Sequence, residues 1–321
     1  MKVVLLSSLK SVLGVGIFNT LVSINISIKR VVRFYATVFR LIWNQEARLS
    51  SLMFPIWGGQ LFLKSQTHFP KKYWYTWEWL VDLLNYGGEL SWDDDCVTVE
   101  YSGIKLSAAA VDQSLQTVFM EMFDDDEYRL ENYSLDGLSV LDIGANIGDS
   151  SIIFMMRGAR AVYAFEPLPV LEKYLERNIS QNGFSKAIEI HTVGLHDKNE
   201  TVRIHIREQG TAGTSTSLHT EDKMDVRSGY ITQDIILVDA VSYLKEHGID
   251  SIDVLKMDCE HCEYVVFRSS EFLDYLKPKI IFLEYHDGYE SLKPLFLGKG
   301  YKVLIYEKND RLGILIATLD S

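Results

Sequence analysis

The stretch 140–150, VLDIGANIGDS, constrains the fold most, because an apolar strand ends there in a glycine loop that leads directly into a helix. Glycines let the backbone approach a ligand closely, and the helix N-terminus offers free N–H groups to an anion. A dinucleotide-binding loop would read G-x-G-x-x-G, but Asn146 stands where its second glycine belongs. Asp142, just before the loop, would repel a diphosphate and suits an ammonium group. The loop therefore favours a cationic nucleoside that carries an amino acid over NAD.

The C-terminal half of the chain alternates between short apolar strands and amphipathic helices. This alternation predicts a mostly parallel sheet covered by helices on both faces, with ligands at the carboxyl ends of its strands. The last two strands are joined by the short turn KNDR, so the last strand should run antiparallel. The predicted strands span 139–143, 161–165, 187–193, 201–206, 235–238, 253–257, 279–285, 301–306 and 313–318, and the predicted helices begin near 149, 167, 240, 263 and 291, the fourth running unbroken to 276.

The second of these strands ends in an acidic residue, Glu166, followed by Pro167. Glu166 lies 22 residues after Gly144, close to where a strand-end acid binds ribose hydroxyls in nucleotide-binding sheets. A lone acid after a strand is most often a solvated helix cap. Its spacing from the glycine loop favours the ribose role here.

Charge divides the chain into two parts. The net charge of −12 argues against a distributed basic face for nucleic acid. Residues 1–80 nevertheless hold ten Lys or Arg and two acids, so a basic, apolar segment precedes an acidic globular part. We expect a helical N-terminal extension over 1–80, a lead-in segment over 81–135 and the main domain over 136–321. Three cysteines cannot make a disulfide framework, and nothing else suggests an oxidising compartment, so we expect a cytoplasmic location.

The N-terminal extension allows three interpretations. The uncharged run 11–28 has roughly the 17–25 residues that span a bilayer, although Ser, Asn, Thr and Gly dilute it. Basic and apolar residues then alternate at helical spacing over 29–43, as in a helix that lies on an anionic membrane surface. The third interpretation is a set of helices that pack on the main domain or on a second copy of the chain in a homo-oligomer. Membrane association and oligomerisation both stay open.

Four blocks together resemble the FkbM family of S-adenosylmethionine-dependent methyltransferases: VLDIGANIGDSSI, VYAFEPLP, IDVLKMDCEHCEYVVF and GYKV, within about residues 120–306. The resemblance implies a class I, Rossmann-like methyltransferase fold with a seven-stranded sheet. It also implies S-adenosyl-L-methionine as cofactor and a sugar, lipid-linked glycan or polyketide hydroxyl as acceptor. The cofactor residues carried over are Asp142, Gly144, Asn146 and Gly148 at the methionine end, with Glu166 on the ribose and Pro167 beside it.

The stretch 257–264, MDCEHCEY, is similar to the family pattern D-x-E-G-x-E, with His261 where glycine is usual. This departure would narrow the acceptor pocket or add an imidazole to it. A hydroxyl acceptor loses a proton, so a general base is expected. The candidate catalytic residues are Asp258 and Glu260 after one strand and His286 after the next, because a histidine titrates in the useful range without tuning.

The two cysteines of this stretch leave several interpretations open. A zinc site would need further ligands, so no metal is expected. A redox dithiol at a helix start stays open, and small apolar fillers are the favoured interpretation of Cys259 and Cys262. The polar loop 210–220 is either a lid over the acceptor or a surface loop. Two other function classes also stay open, namely a non-catalytic nucleoside-binding protein and an NAD-dependent oxidoreductase.

Overall fold

A computed structural model describes residues 89–92, 96–109, 115, 118, 126–207, 230–268 and 270–319. The expected extension over 1–80 and the polar loop at 210–220 lie outside the described residues. Within this part of the chain, no helix is both long enough and apolar enough to cross a membrane.

In chain order, the strands and helices are β1 (Glu89–Trp92), β2 (Cys96–Tyr101), β3 (Ile104–Ala109), β4 (Ser139–Ile143), α1 (Asp149–Met156), β5 (Ala161–Phe165), α2 (Pro169–Gln181), β6 (Ile188–His191), β7 (Gly194–His196), β8 (Glu200–Arg207), β9 (Tyr230–Asp239), α3 (Ala240–Glu246), β10 (Val254–Met257), α4 (Cys262–Val266), α5 (Glu271–Leu276), β11 (Ile280–Tyr285), α6 (Lys293–Gly298), β12 (Lys302–Glu307) and β13 (Gly313–Thr318).

Seven strands form the central sheet in the order β12-β13-β11-β10-β4-β5-β6. Neighbouring strands from β11 to β6 are parallel, whereas β13 runs antiparallel to both β11 and β12. The prediction of a mostly parallel sheet with an antiparallel last strand is therefore confirmed. Strands β4, β10 and β11 lie at the centre and are buried along almost their whole length, because helices cover both faces.

One predicted helix is wrong in extent. The sequence predicts a single helix over 263–276, but the stretch forms α4 and α5 with a turn between them. Phe267 and Phe272 flank this turn and are both buried, with their rings 5.7 Å apart. In one continuous helix, residues five apart would point about 140° away from each other. The break lets both rings enter the same core.

The lead-in segment contributes the three-stranded sheet β1-β2-β3, which the sequence did not suggest. Its strand β3 is tied to α2 by the side chain of Asn178, which accepts from the Ser107 N–H at 2.7 Å and donates to the Ser107 carbonyl at 3.0 Å. The same Asn178 amide donates to the carbonyl of Ile147, within the glycine loop, at 2.7 Å. A single buried amide therefore links this small sheet, α2 and the loop.

A second small sheet has the order β7-β9-β8. Strand β8 matches the prediction at 201–206, whereas β9 begins five residues before the predicted strand at 235–238. Strand β7 is only three residues long and carries no clear pattern in the sequence. Gly194 opens β7 in a crowded position, since a side-chain carbon there would lie 2.6 Å from Leu237 and 3.4 Å from Pro167. This packing brings β7 against the segment that follows β5.

Candidate active site

The carboxyl ends of the central strands open into a cavity of about 440 Å³. This volume is within the roughly 300–1,000 Å³ typical of small-molecule sites. Most of the site residues proposed from the sequence line it, and they are Gly144, Asn146, Glu166, Pro167, Asp258, Glu260 and His286. The two exceptions are Asp142, which lies on β4 before the loop, and Gly148, which ends the loop where α1 begins.

The glycine loop has left-handed backbone at three positions. Gly144, Asn146 and Gly148 have φ values of 80°, 51° and 90°. At Gly144 a side-chain carbon would collide with the carbonyl oxygen of Asp258, so glycine is required by both conformation and space. At Gly148 it would lie 2.8 Å from Leu175 on α2. Gly148 therefore serves the packing of α1 against α2 and not the cavity wall.

Asp142, which was expected to line the methionine end of the cofactor and to receive its ammonium group, does not line the cavity. Its carboxylate is completely buried, where Oδ2 accepts from the hydroxyls of Ser150 and Ser151 at 2.6 Å each. Its other oxygen lies 3.2 Å from the ammonium of Lys256, which also donates to the Gly144 carbonyl at 2.7 Å. The ammonium group that pairs with Asp142 is therefore that of Lys256 and not one on a ligand. The pair fixes the start of the glycine loop from beneath.

Lys256 is a residue that sequence reasoning did not place at the site. It lies on β10, paired in register with Asp142 on β4. Burial lowers its pKa, but the carboxylates of Asp142 and Asp258 outweigh burial and hold that pKa above its ordinary value. The signal was a lysine inside the apolar strand DVLKM, since a buried lysine requires a paired acid.

Glu166 lies at the cavity wall with both oxygens engaged. They accept from the Leu168 N–H at 2.9 Å and from the Asn146 N–H at 3.0 Å. Burial raises the pKa of Glu166 to about 7, even though these two donors favour the ionised form. Glu166 therefore connects the end of β5 to the glycine loop. Each oxygen keeps acceptor capacity for a ligand hydroxyl.

Two buried oxygen atoms at the cavity wall have neither a hydrogen bond nor an ion pair among the described residues. They are Oδ1 of Asn146 and Oδ1 of Asp149, the first residue of α1. Burial raises the pKa of Asp149 to about 7. Buried acceptors without partners are rare in folded proteins. They fit a ligand that brings its own donors, and Asp149 was not anticipated from the sequence.

The opposite wall is built from the ends of β10 and β11. Asp258 follows β10, and its Oδ2 accepts from the hydroxyl of Tyr128 at 3.3 Å. Burial raises the pKa of Asp258, but Lys256 and His286 outweigh burial and hold that pKa below its ordinary value. Asp258 is thus an ionised acceptor at neutral pH.

His286 is enclosed by carboxylates. Its Nδ1 lies 3.0 Å from Glu263, and its Nε2 lies 3.7 Å from Asp258 and 3.6 Å from Glu260. Burial lowers the pKa of His286, but the hydrogen bond to Glu263 and the surrounding acids outweigh burial and raise it to about 9. The expectation that His286 titrates near neutrality without tuning is therefore wrong. At neutral pH it is a cation, which donates protons and does not accept one.

Two glutamates complete this wall. Burial raises the pKa of Glu260, although His286 partly opposes the shift. Glu284, on β11, was not anticipated from the sequence; burial and the Asp258 carboxylate raise its pKa to about 9. The ammonium of Lys308 lies 2.7 Å from Glu284 and also pairs with Glu127. The wall therefore holds acids with different proton affinities side by side.

The Cys-x-x-Cys segment closes the turn between Asp258 and α4. Cys259 and Cys262 form a disulfide, so the favoured interpretation of two separate small fillers is wrong. His261 has a φ of 81°, which explains why a glycine suits this position. Its ring centre lies 5.6 Å from that of His286, yet His261 is not among the residues that line the cavity. The expected addition of an imidazole to the pocket is not observed.

The strand order, the antiparallel β13 and the glycine loop after β4 define a class I, Rossmann-like methyltransferase fold. The family model described as the Methyltransferase FkbM domain matches residues 142–302, half of the chain. The chain belongs to the FkbM family of methyltransferases.

Individual relatives are distant. The AMB antimetabolite synthetase AmbE of Pseudomonas aeruginosa is 29% identical over an alignment of 206 residues that covers 53% of this chain and 9% of the synthetase. This chain thus spans only a small fraction of that relative. Methyltransferase sdnD of Sordaria araneosa is 24% identical over 177 residues, covering 48% of this chain and 68% of sdnD. A crystal structure of methyltransferase FkbM from Methylobacillus flagellatus aligns at 15% identity and a TM-score of 0.38, over 64% of this chain and 54% of that one.

Proposed function

We propose that this protein transfers the methyl group of S-adenosyl-L-methionine to a hydroxyl oxygen of a sugar, glycan or lipid-linked acceptor. The observation that carries the proposal is that the glycine loop with Glu166 and the acidic wall of Asp258 and Glu260 line one cavity. The first wall has the acceptors that a nucleoside with an amino-acid tail needs. The second has the groups that bind and deprotonate a hydroxyl.

The wall formed by the glycine loop and Glu166 is called the cofactor wall. Some of its acceptor atoms still lack partners and would suit this methyl donor. Glu166 would hold the ribose hydroxyls with the remaining acceptor capacity of its two oxygens. The unpartnered oxygens of Asn146 and Asp149 would accept from donors on the methionine portion. A cationic ligand would also favour the ionised form of Asp149, whose pKa burial raises to about 7. When bound, the cofactor supplies an electrophilic methyl group on a sulfonium.

The wall formed by Asp258 and Glu260 is called the acceptor wall, and its two carboxylates have different roles in this proposal. We assign proton removal to Glu260, because burial raises its pKa and makes it the stronger base. Asp258 remains ionised between Lys256 and His286 and would orient the acceptor hydroxyl by accepting its hydrogen bond. A positioned base contributes about 10²–10⁴ in rate, while holding the reacting groups in line is worth up to about 7–11 kcal/mol.

His286 acts in this scheme as a fixed cation. Its Nδ1–H donates to Glu263, and its Nε2 side faces Asp258 and Glu260. A positive charge at this point favours the ionised forms of Asp258 and Glu260. His286 therefore positions Glu260 and favours its ionised form, and does not itself accept the proton.

Titration calorimetry and a transfer assay test the proposal. S-adenosylhomocysteine should bind, NAD should not, and a panel of sugar and lipid-linked hydroxyl acceptors should gain the mass of one methyl group. Binding of NAD in place of S-adenosylhomocysteine would overturn the cofactor assignment. Binding of S-adenosylhomocysteine without transfer to any acceptor would favour the alternative, a non-catalytic nucleoside-binding protein.

A further inference from the structure

The disulfide between Cys259 and Cys262 encloses only two residues, Glu260 and His261. Both have left-handed backbone, with φ values of 54° and 81°. Among the described residues, no other two adjacent non-glycine positions share this conformation. A non-glycine residue resists left-handed backbone because its Cβ crowds the following carbonyl. The covalent ring therefore spans the one turn in this part of the chain that most needs a constraint.

This turn carries the proposed base. Glu260 lies inside the ring, and its carboxylate is 3.6 Å from His286 Nε2. The ring also touches the other side of His286 through Glu263, whose Oε1 lies 3.0 Å from His286 Nδ1 and whose Oε2 lies 3.5 Å from Cys259 Sγ. A change at the sulfurs would thus reach Glu260 directly and His286 through one side chain.

The disulfide lies at the ligand cavity. Cys259 and Cys262 are both half-buried and both line the cavity. The third cysteine of the chain, Cys96, is buried on β2. A small thiol that enters the cavity can therefore reach the disulfide, while Cys96 stays protected in the folded protein.

We propose that Cys259–Cys262 is a reversible redox site whose oxidation state sets how well the cavity binds its ligands. Two equivalents of a small thiol would reduce it. The first thiolate attacks one Sγ and releases the other as a thiolate; the second attacks the mixed disulfide. The protein gains two electrons and two protons as two thiols, and the reductant leaves as its own disulfide. The oxidised form holds the binding-competent turn, and the reduced form lets it relax to other conformations.

The charge around the sulfurs favours a regulatory role over a thiol-exchange enzyme. Catalytic cysteines need cationic neighbours that stabilise the thiolate. Here the carboxylates of Glu260 and Glu263 are inside and next to the ring, and Glu263 approaches Cys259 Sγ. Reduction would return a proton to each sulfur. Cys259 could then donate a hydrogen bond to Glu263, which competes with the pairing of Glu263 and His286.

Because the readout rests on the proposed function, the experiment combines a chemical and a binding measurement. The purified full chain is equilibrated in oxidised or reduced glutathione, alkylated under native conditions, and measured by intact mass. The reduced protein should gain the mass of two alkyl groups, and the oxidised protein should gain none. The backbone of the turn packs on the glycine loop, since a side-chain carbon on Gly144 would lie 3.3 Å from the Cα of Cys259. S-adenosylhomocysteine should therefore bind about tenfold more weakly to the reduced protein. Equal affinity in both forms, or two alkylated thiols before reduction, would overturn the inference.

Matched variants sharpen the test. The double variant Cys259→Ala/Cys262→Ala should bind weakly and ignore glutathione, whereas Cys96→Ala should respond like the natural sequence. His261→Gly, which accepts left-handed backbone without strain, should keep most of its affinity on reduction. If His261→Gly loses as much affinity on reduction as the natural sequence does, backbone strain does not connect the disulfide to ligand binding. If S-adenosylhomocysteine binds in neither form, the proposed function fails, and the inference fails with it.

Discussion

The backbone of Gly144 lies so close to the carbonyl of Asp258 that no side chain fits between the two. The peptide N–H of Asp258 donates to the carbonyl of Ile143 at 3.0 Å, which holds the ends of β4 and β10 together. The glycine loop and the acidic wall are therefore one structural unit. A change at Gly144 should disturb both sides of the cavity.

Gly144→Ala should cost at least about 3 kcal/mol of unfolding free energy, because the new carbon meets a backbone atom that cannot yield. The matched control is Gly183→Ala. Gly183 has an equally left-handed φ of 79° but open space around the position, so only the conformational cost of about 1–2 kcal/mol applies. Urea denaturation measures both. Equal losses would mean that the approach of Asp258 does not matter.

The buried pair of Lys256 and Asp142 gives a second prediction. Lys256→Met should destabilise by about 3–5 kcal/mol, because it leaves a buried carboxylate without its cation. Asp142 keeps the two serine hydroxyls, but these do not neutralise its charge. Adding Asp142→Asn should recover part of the loss, as seen in the denaturation midpoint. Additive losses in the double variant would show that the two residues do not interact.

The sequence predicted those structural elements that local sequence specifies, and it failed where tertiary packing decides. The strands at 139–143 and 313–318 were found to the residue because continuous apolar runs bounded by glycine or polar turns specify them. The glycine loop was found for the same reason. The break between α4 and α5 was not, because it depends on where two phenylalanines pack in the core.

The chemistry of the site was less predictable than its location. Strand ends brought Asp258 and His286 to one cavity as expected. The charge state of His286 could not be anticipated, because it depends on carboxylates that only folding collects around the ring. The pairing of Lys256 with Asp142 likewise depends on strand register. The Cys-x-x-Cys spacing allowed a disulfide without deciding it.

His261→Gly should stabilise the oxidised protein by about 1 kcal/mol, because His261 has a left-handed φ of 81° that glycine adopts freely. His261→Ala is the matched control, since alanine removes the ring but keeps the Cβ that causes the strain. Its stability should stay close to that of the natural sequence. The two variants are compared by thermal and urea denaturation. A gain of the same size in both would assign the effect to the imidazole.

The raised pKa of His286 makes its contribution to stability depend on pH. The folded protein binds this proton more tightly than the unfolded chain, since the folded pKa of about 9 exceeds the ordinary 6.5. The contribution is therefore complete below about pH 6.5 and is lost as the pH rises through about 9. His286→Gln keeps a donor for Glu263 but carries no charge. The stability gap between the two proteins should shrink by about 1–3 kcal/mol between pH 6 and pH 10. A constant gap would contradict a protonated His286.

Substitutions of the two carboxylates at the end of β10 should have different effects on kcat and KM. If Glu260 is the base, Glu260→Gln lowers kcat by about 10²–10⁴ with little change in the KM for the acceptor. If Asp258 orients the acceptor hydroxyl, Asp258→Asn keeps a hydrogen-bonding group and acts on KM as well as kcat. S-adenosylhomocysteine affinity serves as the control, because both substitutions keep the disulfide and the turn backbone that packs on Gly144, and neither alters Glu166. A larger loss of kcat in Asp258→Asn than in Glu260→Gln would reverse the two assignments, and full turnover in both would remove this wall from proton transfer.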